Sequence, residues 1–310
     1  MMQLNTGLQG EFRLVVTHPD GTEQDTGWFP NLILNQGLDR LGIAGSILIQ
    51  YAQVGAGTGT PIATQTSLES YVAGANSNPT NYAETCINEG APTYAALHTW
   101  RYTFTQGSVI GNITEIGVGW GATGATLFSR ALILDGVGSP TTITLVAIDQ
   151  LTVYYRLRVF PPLGDATGIL NISGTDYSYV VRVSNASNFA TVQFLFNSAD
   201  NFSKSDNTTS GFASYGAGSV LGSINGTPTL QSGSGGPSTT AAYTLGTYYR
   251  DTTFSFGVGQ GNATGGIGAL RFVWPQSYSV MPFQMSLSPV LPKDNTKTFS
   301  ITMRFSWNRV

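Results

Sequence analysis

Apolar and polar residues alternate one for one in segment after segment of this chain. The pattern is plain in Phe12-Arg13-Leu14-Val15-Val16, Trp100-Arg101-Tyr102-Thr103-Phe104-Thr105, Thr142-Ile143-Thr144-Leu145 and Leu151-Thr152-Val153-Tyr154. It returns in Thr298-Phe299-Ser300-Ile301-Thr302-Met303-Arg304-Phe305. A period of two, written in β-branched and aromatic residues, puts one face of each strand in a core and the other in water, as in antiparallel sandwiches. Every glutamate lies at or before Glu115, so the larger part of the chain lacks a residue that helices use heavily. The expected class is all-β. Two short connector helices are predicted. Leu34, Leu38 and Leu41 share a face that Gly42 ends, and Thr66-Ser67-Leu68-Glu69 has capping-box spacing ahead of Ser70 to Ala73.

The second half echoes the first in the same order. Glu11-Phe12-Arg13-Leu14-Val15-Val16 returns as Asp176-Tyr177-Ser178-Tyr179-Val180-Val181, and Gly27-Trp28-Phe29-Pro30-Asn31 as Gln193-Phe194-Leu195-Phe196-Asn197. Val54-Gly55 matches Leu221-Gly222, Trp100 matches Tyr249, Trp120 matches Trp274, Phe128 matches Phe283, and Leu151 to Leu157 matches Phe299 to Phe305. With 310 residues there is room for two cores. The expectation is two tandem, diverged antiparallel β-sandwich domains, 1–162 and 163–310, divided at Pro161-Pro162-Leu163-Gly164-Asp165. The stretch from Ser203 to Thr240 reads as long surface loops rich in Gly, Ser and Thr.

Charged residues are 10% of the chain and the formal net charge is −3, so the surface is polar rather than ionic and offers no basic field for nucleic acid. No apolar run approaches the roughly 20 residues that span a bilayer, and no membrane insertion is expected. The one cysteine, Cys86, excludes an intrachain disulfide and reads as a half-buried hydrophobe.

Reaction chemistry is thinly represented. Gly55-Ala56-Gly57-Thr58-Gly59 and Gly257-Val258-Gly259-Gln260-Gly261 look like phosphate-cradling loops, but no long helix pattern follows, so they read as turns. The two histidines, His18 in a His-Pro-Asp-Gly turn and His98 at a strand start, select no catalytic relay. A glycosidase pair would have to be drawn from Glu84, Glu89, Glu115, Asp149 or Asp251, whose spacing favours none. Asp200, Asn201, Ser205 and Asp206 form a calcium-like cluster with no closing glutamate. No catalytic residue, metal or cofactor is expected, and the chain does not read as an enzyme. The best contact candidates are Tyr215, Tyr243, Tyr248, Tyr249 and Tyr278, all in Gly/Ser/Thr-rich surroundings.

Four segments carry a resemblance: Asp25-Thr26-Gly27-Trp28-Phe29-Pro30-Asn31 through Asn35-Gln36-Gly37-Leu38-Asp39, Val54 to Pro61, Ile113-Thr114-Glu115-Ile116-Gly117-Val118-Gly119-Trp120, and Leu127-Phe128-Ser129-Arg130-Ala131. In this order they resemble a recurring unit of tailed-bacteriophage virion proteins. The resemblance implies a structural tail component, of tail-fibre or baseplate type, that contributes to virion assembly and attachment to the host surface. It implies a homo-oligomer, with a trimer favoured, other virion proteins as partners, a host-surface glycan or protein as a further partner, and the virion as location. Two alternatives stay open: a capsid decoration protein that stabilises the head, and a tail-borne glycan depolymerase.

Overall fold

The computed structural model describes residues 2–43, 49–76, 85–188, 212–229, 231–233, 235–274 and 281–310. In chain order the first half contributes β1 (Met2–Thr17), β2 (Glu23–Asp25), β3 (Phe29–Pro30), β4 (Leu32–Ile33), helix α1 (Asn35–Gly42), β5 (Tyr51–Gly55) and β6 (Tyr71–Asn76). It continues with β7 (Thr85–Asn88), β8 (Ala96–Thr103), β9 (Gly111–Ile113), β10 (Glu115–Gly119), β11 (Leu127–Leu132), β12 (Ile143–Leu145) and β13 (Gln150–Phe160). The second half contributes β14 (Ala166–Ile172), β15 (Thr175–Val183), β16 (Phe212–Tyr215), β17 (Gln231–Gly233), β18 (Ser238–Thr240), β19 (Tyr249–Phe256), β20 (Ile267–Trp274), β21 (Met281–Leu291) and β22 (Phe299–Arg309). The fold is all-β, in several packed sheets.

A nine-stranded sheet with the order β18-β19-β22-β1-β13-β8-β7, to which β2 and β3 add beside β1, takes strands from both halves. The long β1 makes this possible. Its residues 7–17 pair with β13 along one edge, while along the other edge residues 2–8 pair in parallel with β22 and residues 11–17 with β3 and β2. Alternation then sorts the side chains. Phe12, Leu14, Trp100, Tyr102, Val153, Tyr155, Phe254, Met303 and Phe305 point to one face and are buried. That face is covered by two smaller sheets. Phe254 meets Phe272 and Phe305 meets Phe283, with ring centroids 5.4 and 5.8 Å apart, across to the six-stranded sheet β14-β15-β21-β20-β16-β17. Tyr102 reaches the start of the five-stranded sheet β4-β11-β10-β5-β6, its hydroxyl donating to the Ile49 carbonyl at 3.0 Å.

The internal echo is visible as repeated topology. In β4-β11-β10-β5-β6 and in β15-β21-β20-β16-β17, strands of the same chain rank stand in the same places, all antiparallel. The matches Trp120 to Trp274 and Phe128 to Phe283 hold: the rung Gly119↔Leu127 has its counterpart in Val273↔Pro282. Other matches need correction. Glu11–Val16 lies in the nine-stranded sheet but Asp176–Val181 in the six-stranded one, and Leu221-Gly222 is loop, with β16 taking the place opposite β5. Trp100 faces inward while Tyr249 faces outward, because a slip of odd length moves a strand's side chains to the other face. The match to Gln193–Asn197 lies outside the described residues, as do Tyr278, Glu84, the calcium-like cluster and the Cys86 side chain.

Two expectations about local structure divide. Helix α1 forms as predicted, with Leu38 and Leu41 buried. The capping-box segment does not start a helix, and Tyr71–Asn76 is instead a strand beside β5. The amides of Glu69 and Ser70, which a helix N-terminus would leave open, donate to the Glu115 carboxylate. The stretch expected to be loop between Ser203 and Thr240 contains β16, β17 and β18 among its described residues.

Helix α1 ties the halves together. Asn35 Oδ1 accepts from Arg309 Nη2 at 2.5 Å, the Leu38 carbonyl accepts from Trp307 Nε1 at 2.8 Å, and Gly42's carbonyl accepts from Arg250 Nη1 at 2.6 Å. On the first-half side, Gln36 Nε2 donates to the carbonyls of Thr66 and Leu127. Gly37 lies so close to β11 that a Cβ there would sit 2.2 Å from the Phe128 carbonyl oxygen. Alanine ordinarily stabilises a helix interior by about 1 kcal/mol over glycine. Here the sign is expected to reverse, with Gly37→Ala lowering stability by about 1–3 kcal/mol through overpacking. Urea unfolding checks this, and a raised midpoint would refute the close approach.

Candidate functional site

The four resemblance segments meet at one place. Glu115 on β10 and Arg130 on the neighbouring β11 are both fully buried, with Arg130 Nε donating to Glu115 Oε2 at 2.8 Å. The same carboxylate accepts backbone N–H groups from Gly57 (3.0 Å), Glu69 (3.1 Å) and Ser70 (2.7 Å). Arg130 continues outward, Nη1 to Gln65 Oε1 at 2.8 Å and Nη2 to the Gly59 carbonyl at 3.1 Å. Glu69 closes the loop by accepting from Gly59 N–H at 2.7 Å. The glycines now have a reason, since a Cβ at Gly55 or Gly57 would lie 2.5 Å from Glu115 Oε1. The loop that looks like a phosphate cradle thus does cradle an anion, the protein's own carboxylate. Nearby, Asn31 Nδ2 donates to Ser129 Oγ at 3.0 Å, which joins the Trp-Phe-Pro-Asn segment to the Phe-Ser-Arg strand. Four donors fill the carboxylate, so the arrangement fixes the loop from Gly55 to Ser70.

Glu89, Asp149 and Asp251, the other described carboxylates considered for glycoside cleavage, are engaged elsewhere. Glu89 binds Arg158, Asp251 binds Arg304, and Asp149 binds His18 Nδ1 at 2.8 Å. The Val146 amide and His18 hold the Asp149 carboxyl below its ordinary range. Among the described residues this is the hydrogen bond that the His18 side chain makes, and no hydroxyl completes a relay. His98 is buried in β8 and stacked on Trp100, 5.7 Å between centroids. Among the described residues, no group of three or more His, Cys, Asp or Glu side chains could hold a metal, and no helix is long and apolar enough to cross a membrane.

The outward face of the nine-stranded sheet is where sequence reasoning missed most. Glu11 accepts from Arg156 Nε at 2.6 Å and from Arg158 Nη1, while Arg158 also holds Glu89 at 2.9 Å. Arg13 binds Asp25 through Nε at 3.0 Å, and Arg304 binds Asp251 with two bonds of 2.8 Å. Three of these guanidinium groups also lie over rings: Arg156 over Trp28 at 4.1 Å, Arg13 over Tyr154 at 5.6 Å and Arg304 over Tyr249 at 3.6 Å. Burial pushes the Glu11 carboxyl up, but the bonds from Arg156 and Arg158 outweigh it and hold the group below the usual carboxylate range. The signal was present in outward positions two apart, Glu11 with Arg13 and Arg156 with Arg158, but only register shows that Glu11 stands opposite Arg156, with Arg158 one outward position further along.

The tyrosine candidates divide. Tyr249 stands on this outward face. Tyr215 does not present a surface: it is 4% exposed, buried in β16, and burial pushes its hydroxyl pKa up. Tyr243 is half-buried against the first half, its hydroxyl donating to Asp39 Oδ1 at 2.7 Å and its ring stacked on Trp307. Tyr248 is half-buried beside it, its amide donating to the Tyr243 hydroxyl at 3.3 Å. On the first-half side the packing is close, since a Cβ on Gly42 would strike the Tyr243 ring at 2.4 Å, whereas Gly246, beside the tyrosines in sequence, has open space around it and takes a φ of +80°. No protein-family profile, curated protein or solved structure matches this chain.

Proposed function

We propose that the chain is a structural component of a bacteriophage tail, of tail-fibre or baseplate type, that contributes to virion assembly and host attachment. The outward face of the nine-stranded sheet supports this reading. It is a broad platform in which Arg, Tyr and Trp, the residues that dominate protein contacts, are held in fixed positions by ion pairs and ring stacking. Charges already paired within the face lose less on being covered by a neighbouring subunit than isolated charges do. This face is the docking surface for copies of the same chain, in the trimer that the resemblance to tail proteins implies. Light scattering after gel filtration tests the self-association: a trimer is expected, and Arg156→Glu combined with Arg304→Glu weakens it at least about tenfold. A wild-type monomer at all concentrations, or a trimer indifferent to both changes, removes this face from the interface. Immunogold labelling of phage particles tests the location, with gold expected on the tail. Gold on the head would make the chain a decoration protein instead.

A further inference from the structure

The chain has three lysines, and two of them line one cleft. The cleft, of about 360 Å³, opens where the tip of the β14–β15 hairpin meets the passage from β21 to β22. Its apolar wall is built from Tyr177, Leu291 and Phe299, each less than a tenth exposed, and Thr175 and Lys297 stand on its polar side. The hairpin tip is stiff. Ser173 and Gly174 both take positive φ (51° and 83°), the paired left-handed conformation of a tight two-residue turn, and Asn171 Nδ2 braces it by donating to Asp176.

Lys293 is the informative group. It is only 3% exposed, yet its ammonium donates to two uncharged oxygens, Asn262 Oδ1 at 2.7 Å and the Asp294 carbonyl at 2.9 Å. An ammonium has three N–H groups, so one is left over. The carboxylate whose charge acts on it is committed elsewhere: Asp294 accepts from Lys297 Nζ at 2.9 Å and from the amide and hydroxyl of Thr296. Among the described residues no carboxylate lies within hydrogen-bonding distance of Lys293 Nζ. Desolvation lowers the pKa of this cation, and the nearby Asp294 carboxylate offsets that only in part. A ligand anion in the cleft would supply what the chain does not.

We propose that this cleft binds one sugar unit bearing a carboxylate, a hexuronic acid or a similar sugar acid. Its carboxylate takes the third N–H of Lys293 and the ammonium of Lys297, its hydroxyls meet Thr175, and its less polar ring face lies on the wall formed by Tyr177 and Phe299. The volume is at the small end of ligand sites, where a single pyranose fits. An inorganic anion alone would leave the apolar wall uncovered. The proposal does not depend on the sheet face assigned to subunit contacts, and the two can fail separately.

Calorimetric titration of the full chain with sodium D-glucuronate, with D-glucose and inorganic phosphate as controls, tests it. Saturable binding of glucuronate is expected, with glucose at least about tenfold weaker, the worth of one charged hydrogen bond. Lys293→Met is expected to weaken glucuronate at least about tenfold, and the exposed Lys297→Gln, which leaves the buried ammonium in place, by about threefold. The thermal midpoint of each variant is measured beside the titration, and Lys297→Gln keeps the test decisive should Lys293→Met fail to fold. Absence of glucuronate binding, equal binding of glucose, or affinity unchanged by either lysine substitution overturns the proposal. So does phosphate binding as tightly as glucuronate, which would reduce the cleft to a plain anion site.

Discussion

Glu115→Ala is expected to destabilise the fold by about 3–5 kcal/mol, because it strands a buried guanidinium and three backbone N–H groups at once. The pairing of Glu115 with Arg130 alone does not explain a loss of that size. Removing both charges, as in Glu115→Leu with Arg130→Met, is often nearly neutral for a buried ion pair. Here the double variant should recover only part of the loss, since the amides of Gly57, Glu69 and Ser70 would still have no acceptor. Urea unfolding of the single and double variants measures the difference, and hydrogen exchange at those three amides reports it locally. A double variant as stable as the parent would show the loop to be held by something other than this carboxylate. A single variant that loses less than about 1 kcal/mol would remove the structural role of the Glu115 network altogether.

Trp307→Ala is the second large effect, about 3–5 kcal/mol for a fully buried aromatic residue. Its position makes the loss specific. Trp307 lies on the last strand, yet its indole N–H donates to the Leu38 carbonyl of α1 and its ring stacks on Tyr243, which is itself bonded to Asp39. Truncation therefore empties the joint through which the second half grips the helix of the first. Beyond the shift in midpoint, the urea transition of the variant is expected to broaden or split, as the halves lose a shared contact. Trp307→Phe should restore much of the packing but not the bond to Leu38, and fall between the two. A sharp, single transition in Trp307→Ala would place the coupling of the halves elsewhere, in the pairing of β1 with β22.

The alternating strands and α1 were legible in the sequence because they depend on neighbours, whereas β6 was expected as a helix and β16, β17 and β18 as loop. Alternation in β8, β13 and β22 is a local property, and the leucine face of α1 was bounded by its own glycine. The capping-box spacing at Thr66–Glu69 is local too, but its amides were claimed by Glu115, forty-odd residues along the chain, which no window of sequence displays. The same distance hid the candidate surfaces. Arg156, Glu11, Arg158 and Glu89 become a ladder only once β1, β13 and the turn after β7 are placed side by side. Tyr215 failed as a surface residue for the complementary reason. Glycine and serine neighbours signal close packing as readily as exposure, and composition does not tell the two apart.

The parallel pairing of the first strand with the last has a mechanical consequence. Met2 stands beside Met303 and Leu8 beside Arg309, so tension entering through the start of β1 and leaving through the end of β22 pulls the two strands along each other in opposite directions. Such a load falls in shear on all the rungs between them together, where an antiparallel pair with its ends at one edge would open like a zipper, one rung at a time. The chain is thereby built to resist being drawn out by its ends, whatever its stability toward heat or urea.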